Sequence, residues 1–296
     1  MEENPGTKNR VGKGLKLLLK IVVTIACIWY VSGKIDFTKA GNALKSADWF
    51  YLPFALIAFI VSKLLSATRL SMYFKNIGIH LTAGQNIKLY WLGMFYNLFL
   101  PGSISGDAYK VILLTKKYGV VYKKTAAAVL LDRFSGLLGL GLILAVYSTI
   151  VLTNLTHKIG IVAGAVLAVV VLFLIIKRWF KDFITSFLPT LLFGILVQAF
   201  QVVCTYFIMA ALGIPAHATE YIFIFLVSSV VSVLPLTIGG LGIREVVFLE
   251  GSKLFGLLQE TSVVISVLFY LITLLTSVIG LVYVFNDPLK EKKTHC

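Results

Sequence analysis

Three stretches of this chain, Phe134–Leu152, Ile159–Ile176 and Val263–Phe285, are predominantly apolar from end to end. Each supplies about the ~20 residues that one helical crossing of a bilayer requires. Such runs have no place on the surface of a water-soluble domain, and the remaining composition agrees. Hydrophobic residues make up 58% of the chain and charged residues 14%, with a mean hydropathy of +0.92, which excludes an ordinary soluble globular protein. The net charge of +14 does not point to nucleic acid, because the basic residues flank apolar spans as the positive-inside rule describes. The expected fold class is an all-α polytopic membrane protein.

Hydropathy and charge together predict six full crossings, near residues 15–32, 48–70, 124–153, 160–177, 187–213 and 261–285. Residues 1–13 are polar and basic. No small-residue cleavage site follows Leu15–Val31, where Ile28-Trp29-Tyr30 stands instead, so the first span reads as an anchor. Residues 34–47 read as a short amphipathic surface helix. Two regions, 86–116 and 220–256, each contain two apolar arms of about 14 to 16 residues, or roughly 21–24 Å as helix against a ~30 Å hydrocarbon core. They are read as re-entrant hairpins; ordinary helices joined by Leu-Pro loops would instead make up to ten crossings.

The hairpin tips carry a repeated motif. Leu100-Pro101-Gly102-Ser103-Ile104-Ser105-Gly106-Asp107-Ala108-Tyr109-Lys110 returns 134 residues later as Leu234-Pro235-Leu236-Thr237-Ile238-Gly239-Gly240-Leu241-Gly242-Ile243-Arg244. Four positions are identical, and Ser103/Thr237 and Lys110/Arg244 match in chemistry. Paired segments broken by Gly and Pro in corresponding halves point to a transporter's binding site. Each half then reads span, span, hairpin, span. Three crossings per half give the halves opposite orientation, so a single membrane domain, 1–296, is expected to hold inverted repeats at about 15–153 and 160–285. Lys and Arg concentrate at the N-terminus, Arg69, Lys75, Lys116, Lys117, Lys123, Lys124, Lys177, Arg178, Lys181 and the tail. That side is expected to be cytoplasmic, with both termini inside.

Charged residues at membrane depth are the candidate site. Asp132 and Arg133 fall roughly 12 Å into the third span, either as ligands or as partners of neighbouring elements. Lys110 and Arg244 open the outgoing hairpin arms just after Gly106 and Gly240. Free helix N-terminal N–H groups beside a cation suit phosphate. Asp107 and Glu245 lie beside those cations as helix caps or carriers of a coupling proton. Arg69 reads as reaching inward to an anion, while Lys63 is explained by snorkelling. Gln198, Gln201 and Asn97 read as interhelical hydrogen-bonders, with substrate ligands as the alternative. Ser103 and Thr237 should both be buried near mid-depth. Cys27, Cys204 and Cys296 form no disulfide framework, the four histidines have no metal-ligand spacing, and no cofactor is expected.

Asn97-Leu98-Phe99-Leu100-Pro101-Gly102, Gly106-Asp107-Ala108-Tyr109-Lys110, Asp132-Arg133-Phe134-Ser135-Gly136 and Gly239-Gly240-Leu241-Gly242-Ile243-Arg244-Glu245, in that order, resemble the lysylphosphatidylglycerol synthase transmembrane, or flippase-like, family. The resemblance covers nearly the whole chain. It implies an inner-membrane protein that moves phospholipids or polyprenyl-linked lipids between leaflets, alongside a lipid-modifying enzyme or glycosyltransferase. Where the family often has Glu-Arg this chain has Asp132-Arg133, and where Arg follows Gly-Asp it has Lys110, which loses the bidentate fork. The chain stops at Cys296 without a synthetase domain, so lipid aminoacylation is not implied. The leading expectation is a flippase binding an anionic headgroup through Lys110, Arg133 and Arg244, with Gly106 and Gly240 donating N–H groups. An ion-coupled transporter of a small anionic solute is the alternative. A membrane-embedded lipid enzyme would need a nucleophile, a His base or a metal cluster, none of which the sequence offers.

Overall fold

The computed structural model describes residues 5–100, 105–234, 236–237, 239–286 and 288–289, with side chains from Leu18 onward. Among the described residues the fold is entirely helical. Eleven α-helices, α1 to α11, run Pro5–Ser32, Phe37–Lys45, Leu52–Lys75, Ala83–Phe99, Ser105–Tyr118, Tyr122–Val151, Leu155–Trp179, Phe187–Ala211, Ala218–Val233, Ile243–Leu254 and Gln259–Val278. Local chemistry sets many of the boundaries. The Asp36 carboxylate accepts N–H bonds from Thr38 and Lys39 and starts α2. Thr82 and Gln85 form a reciprocal capping box at α4 and Asn154 caps α7, each relieving donors that a helix start leaves unmatched. Before α10 the chain turns through Gly239, Gly240 and Gly242 at φ +61°, +83° and +86°, which residues with a Cβ rarely adopt.

Five segments are long and apolar enough to cross a membrane: Trp49–Lys75, Tyr122–Val151, Leu155–Trp179, Lys181–Ala211 and Gln259–Tyr283. A sixth crossing depends on α1, whose Leu18–Ser32 portion meets α2 at an 85° bend. This agrees with the six expected spans and with a short amphipathic helix after the first. The two intervening regions also hold the expected pairs of shorter helices, of 17 and 14 residues and of 16 and 12 residues. α7 buries only Leu172 and Ile176. Its exposed Ile159, Val166, Leu167, Val170 and Leu174 form an apolar face suited to lipid rather than water.

α3 packs chiefly on α8, α6 lies along α8, and α7 covers α6; α9, α10 and α11 pack on one another, with α1 on α10. Small residues allow the closest approaches. A Cβ on Gly194 would stand 2.6 Å from the Ser135 carbonyl oxygen, and one on Gly139 2.7 Å from the Ile195 nitrogen, so the α6 and α8 backbones touch. Within the first helix pair, a Cβ on Gly106 would overlap the Gly93 carbonyl. The two pairs also meet: a Cβ on Gly239 would lie 2.5 Å from Leu98 Cδ1.

Two large apolar cores result, besides a small cluster of Val31, Leu249 and Val263. One gathers Ala55, Phe59, Val202, Ile208, Phe225, Phe248 and Phe269; the other gathers Leu70, Tyr73, Phe74, Leu89, Leu114, Leu131 and Leu191. Between them α3 contributes Ser62, Lys63, Ser66 and Arg69, and α8 contributes Gly194, Gln198 and Gln201. A polar layer therefore crosses the middle of the bundle.

Candidate functional site

Arg69 of α3 is 5% exposed. Its Nε donates to Asp132 Oδ1 of α6 at 2.7 Å. The guanidinium occupies a slot kept open by glycine, since a Cβ on Gly136 would lie 2.8 Å from Nη1 and one on Gly194 3.6 Å from it. Nη1 has no hydrogen-bond acceptor among the described residues. A buried ion pair of this kind survives only because each charge holds the other, and it ties α3 to α6 beside α8. Asp132 thus partners Arg69 rather than its sequence neighbour Arg133.

Arg133 joins a second cluster. Asp107 of α5 accepts a hydrogen bond from Lys110 Nζ at 3.0 Å and, through its other oxygen, one from Arg133 Nε. Lys110 is 4% exposed, its stem crosses Gly93, and its ammonium stands 4.9 Å from the centroid of the Tyr90 ring. Tyr90 also lies within electrostatic reach of Asp132 and Arg69, so the two clusters are neighbours. The Gly106 N–H is not free for a ligand as the sequence implies: it donates to Asn97 Oδ1 at 2.9 Å. The Asn97 side chain thus ties the end of α4 to the start of α5, and residues 101–104, including Ser103, lie outside the described residues.

At the second turn, Thr237 is 2% exposed, as its expected burial requires, and its hydroxyl has no partner among the described residues. Glu245 takes the capping role: Oε2 accepts from the Gly242 N–H at 2.7 Å and Oε1 from Ser266 Oγ at 2.9 Å. Arg244 folds back beside Gly240, whose Cβ position would lie 3.5 Å from Arg244 Nε, and rests on the Phe269 ring at 5.1 Å. Lys63 does not run to a helix end as a snorkelling side chain would. Its Nζ stands 4.4 Å over the Phe59 ring, one turn back along α3, the direction in which helical side chains lean. Of the amides expected to bond between helices, Gln198 leaves its buried Oε1 unmatched among the described residues. No grouping of three or more metal-ligating side chains occurs among the described residues.

The site residues thus fall into three sets: Asp107, Lys110 and Arg133; Arg69 and Asp132; and Gly240, Arg244 and Glu245. An apolar-faced bundle of membrane-length helices enclosing such a layer defines a multi-pass membrane protein. The chain belongs to the family described as the lysylphosphatidylglycerol synthase TM region, which matches residues 17–280. It is also similar to a protein of Pyrococcus horikoshii described as a UPF0104 membrane protein, at 20% identity with 79% of this chain and 85% of that protein covered.

Proposed function

We propose that the protein moves an anionic lipid, a phospholipid or polyprenyl-phosphate-linked lipid, between the leaflets of the cell membrane. The observation that carries this reading is the polar layer itself, which places Arg69, Lys110, Arg133 and Arg244, in three sets, among the apolar cores of the bundle. Charge at that depth is costly and marks a substrate path. Family membership supports lipid as the substrate class. The order long, long, short, short, long, from α1 (with its surface helix α2) and α3 to α6 and again from α7 to α11, supports inverted repeats with re-entrant pairs, both termini cytoplasmic, and rocking of one half against the other.

Reconstituted vesicles carrying a headgroup-anionic fluorescent lipid in one leaflet test this directly. Wild-type protein should equilibrate the lipid, and Arg133→Gln or Arg244→Gln should slow it at least ~30-fold while folded protein remains in the membrane. Losing one charge-assisted contact at a buried site costs on the order of 2–5 kcal/mol. Wild-type rates in both folded variants, or uptake of a soluble anion without lipid movement, would refute the lipid reading.

A further inference from the structure

Lys63 and Arg244 approach one aromatic pair from two different helices. Phe59 of α3 and Phe269 of α11 meet edge to face, with ring centroids 5.5 Å apart, and both rings are almost fully buried. The Lys63 ammonium lies over the first ring and the Arg244 guanidinium over the second, at 4.4 Å and 5.1 Å. Arg244 and Arg69 are the charged groups that act on Lys63, so like charges converge here. Among the described residues neither Lys63 nor Arg244 has a carboxylate within ion-pair distance, and neither donates a hydrogen bond. Glu245, the acid next to Arg244, is already occupied by the Gly242 N–H and Ser266. Both cations stay partly accessible.

The Asp107 cluster offers an internal comparison. There two cations, Lys110 and Arg133, share one carboxylate supplied by the chain. Lys63 and Arg244 instead approach the two rings of one aromatic pair, and among the described residues no carboxylate lies within ion-pair distance of either. Ring faces offset part of the desolvation cost of a cation, but they do not supply the charge-assisted hydrogen bonds that suit a half-buried ammonium and guanidinium at membrane depth. The group that completes the arrangement is an anion with several acceptor oxygens. Arg supplies a planar fork for such a group and Lys a point charge.

We propose that Lys63 and Arg244 form a phosphate-binding site against the Phe59–Phe269 pair, separate from the cluster in which Asp107 bridges Lys110 and Arg133. The site stands on its own geometry; only its assignment to a lipid headgroup, rather than free phosphate, rests on the function proposed above.

The test is binding, measured by thermal unfolding of the full chain in mild detergent with dihexanoyl phosphatidate or inorganic phosphate. The variants are Lys63→Gln, Lys63→Arg, Arg244→Gln and, as a charge-matched control, Lys75→Gln at the exposed end of α3. Phosphatidate should stabilise the wild type, Lys63→Arg and Lys75→Gln alike, and should bind at least tenfold more weakly to Lys63→Gln and Arg244→Gln. If one Gln variant fails to fold, the other decides, together with Lys63→Met, which keeps the stem over Phe59. Equal binding of phosphatidate and inorganic phosphate, lost in the same variants, would keep the site and remove the lipid assignment. Unchanged binding in Lys63→Gln and Arg244→Gln, or binding of neither probe to the wild type, would overturn the site.

Discussion

Asp132→Ala is expected to destabilise the folded bundle by about 3–5 kcal/mol, the range for removing one partner of a buried ion pair. Arg69 cannot retreat to water: it is 5% exposed, and its guanidinium is held in the slot beside Gly136 and Gly194. Its only ion-pair partner among the described residues is Asp132, and Nη1 already lacks an acceptor. The substitution therefore leaves an uncompensated charge between three packed helices. Replacing both partners, as Arg69→Met with Asp132→Leu, removes the charge with its counter-charge and should recover most of the lost stability. Thermal unfolding in mild detergent checks this. An Asp132→Ala protein that melts with the wild type would show that the pair does not hold α3 to α6.

Gly106→Ala should be damaging well beyond the size of a methyl group. α4 and α5 cross at Gly93 and Gly106, where an added Cβ overlaps the Gly93 carbonyl. The obstacle is backbone, so no rotamer change relieves it, and the two helices must part. Parting them also withdraws Gly93 from the Lys110 stem and the Gly106 N–H from Asn97. The expected cost is about 3 kcal/mol, at the upper end for overpacking. Gly141→Ala, on α6 with nothing within 4 Å of its Cβ position, is the control and should gain up to ~1 kcal/mol from helix propensity. Yield of monodisperse protein and its melting temperature separate the two outcomes. Equal behaviour would refute the close crossing.

The helical class, the position of the long spans, the short helix α2 and both pairs of short helices were legible in the sequence. Each is a local property: about 20 apolar residues in succession, a cap such as Asp36 or Thr82, a Pro or a run of glycines where a helix must end. The burial of Thr237 followed from its place between two apolar arms. Partner choice was not legible. Asp132 and Arg133 are adjacent, and neighbours on a helix point about 100° apart, so one faces Arg69 on α3 and the other Asp107 on α5. Lys63 looked like a snorkelling lysine, because nothing in the sequence shows that Phe59 and Phe269 meet beside Arg244. The availability of the Gly106 amide was likewise settled by Asn97, nine residues away on the other arm. The sequence by itself determined which segments are helices suited to a membrane and which residue types lie at depth. Only the tertiary structure decided which cation is matched and which is open, because that depends on helix rotation and on glycine-controlled distances between helices far apart in the chain.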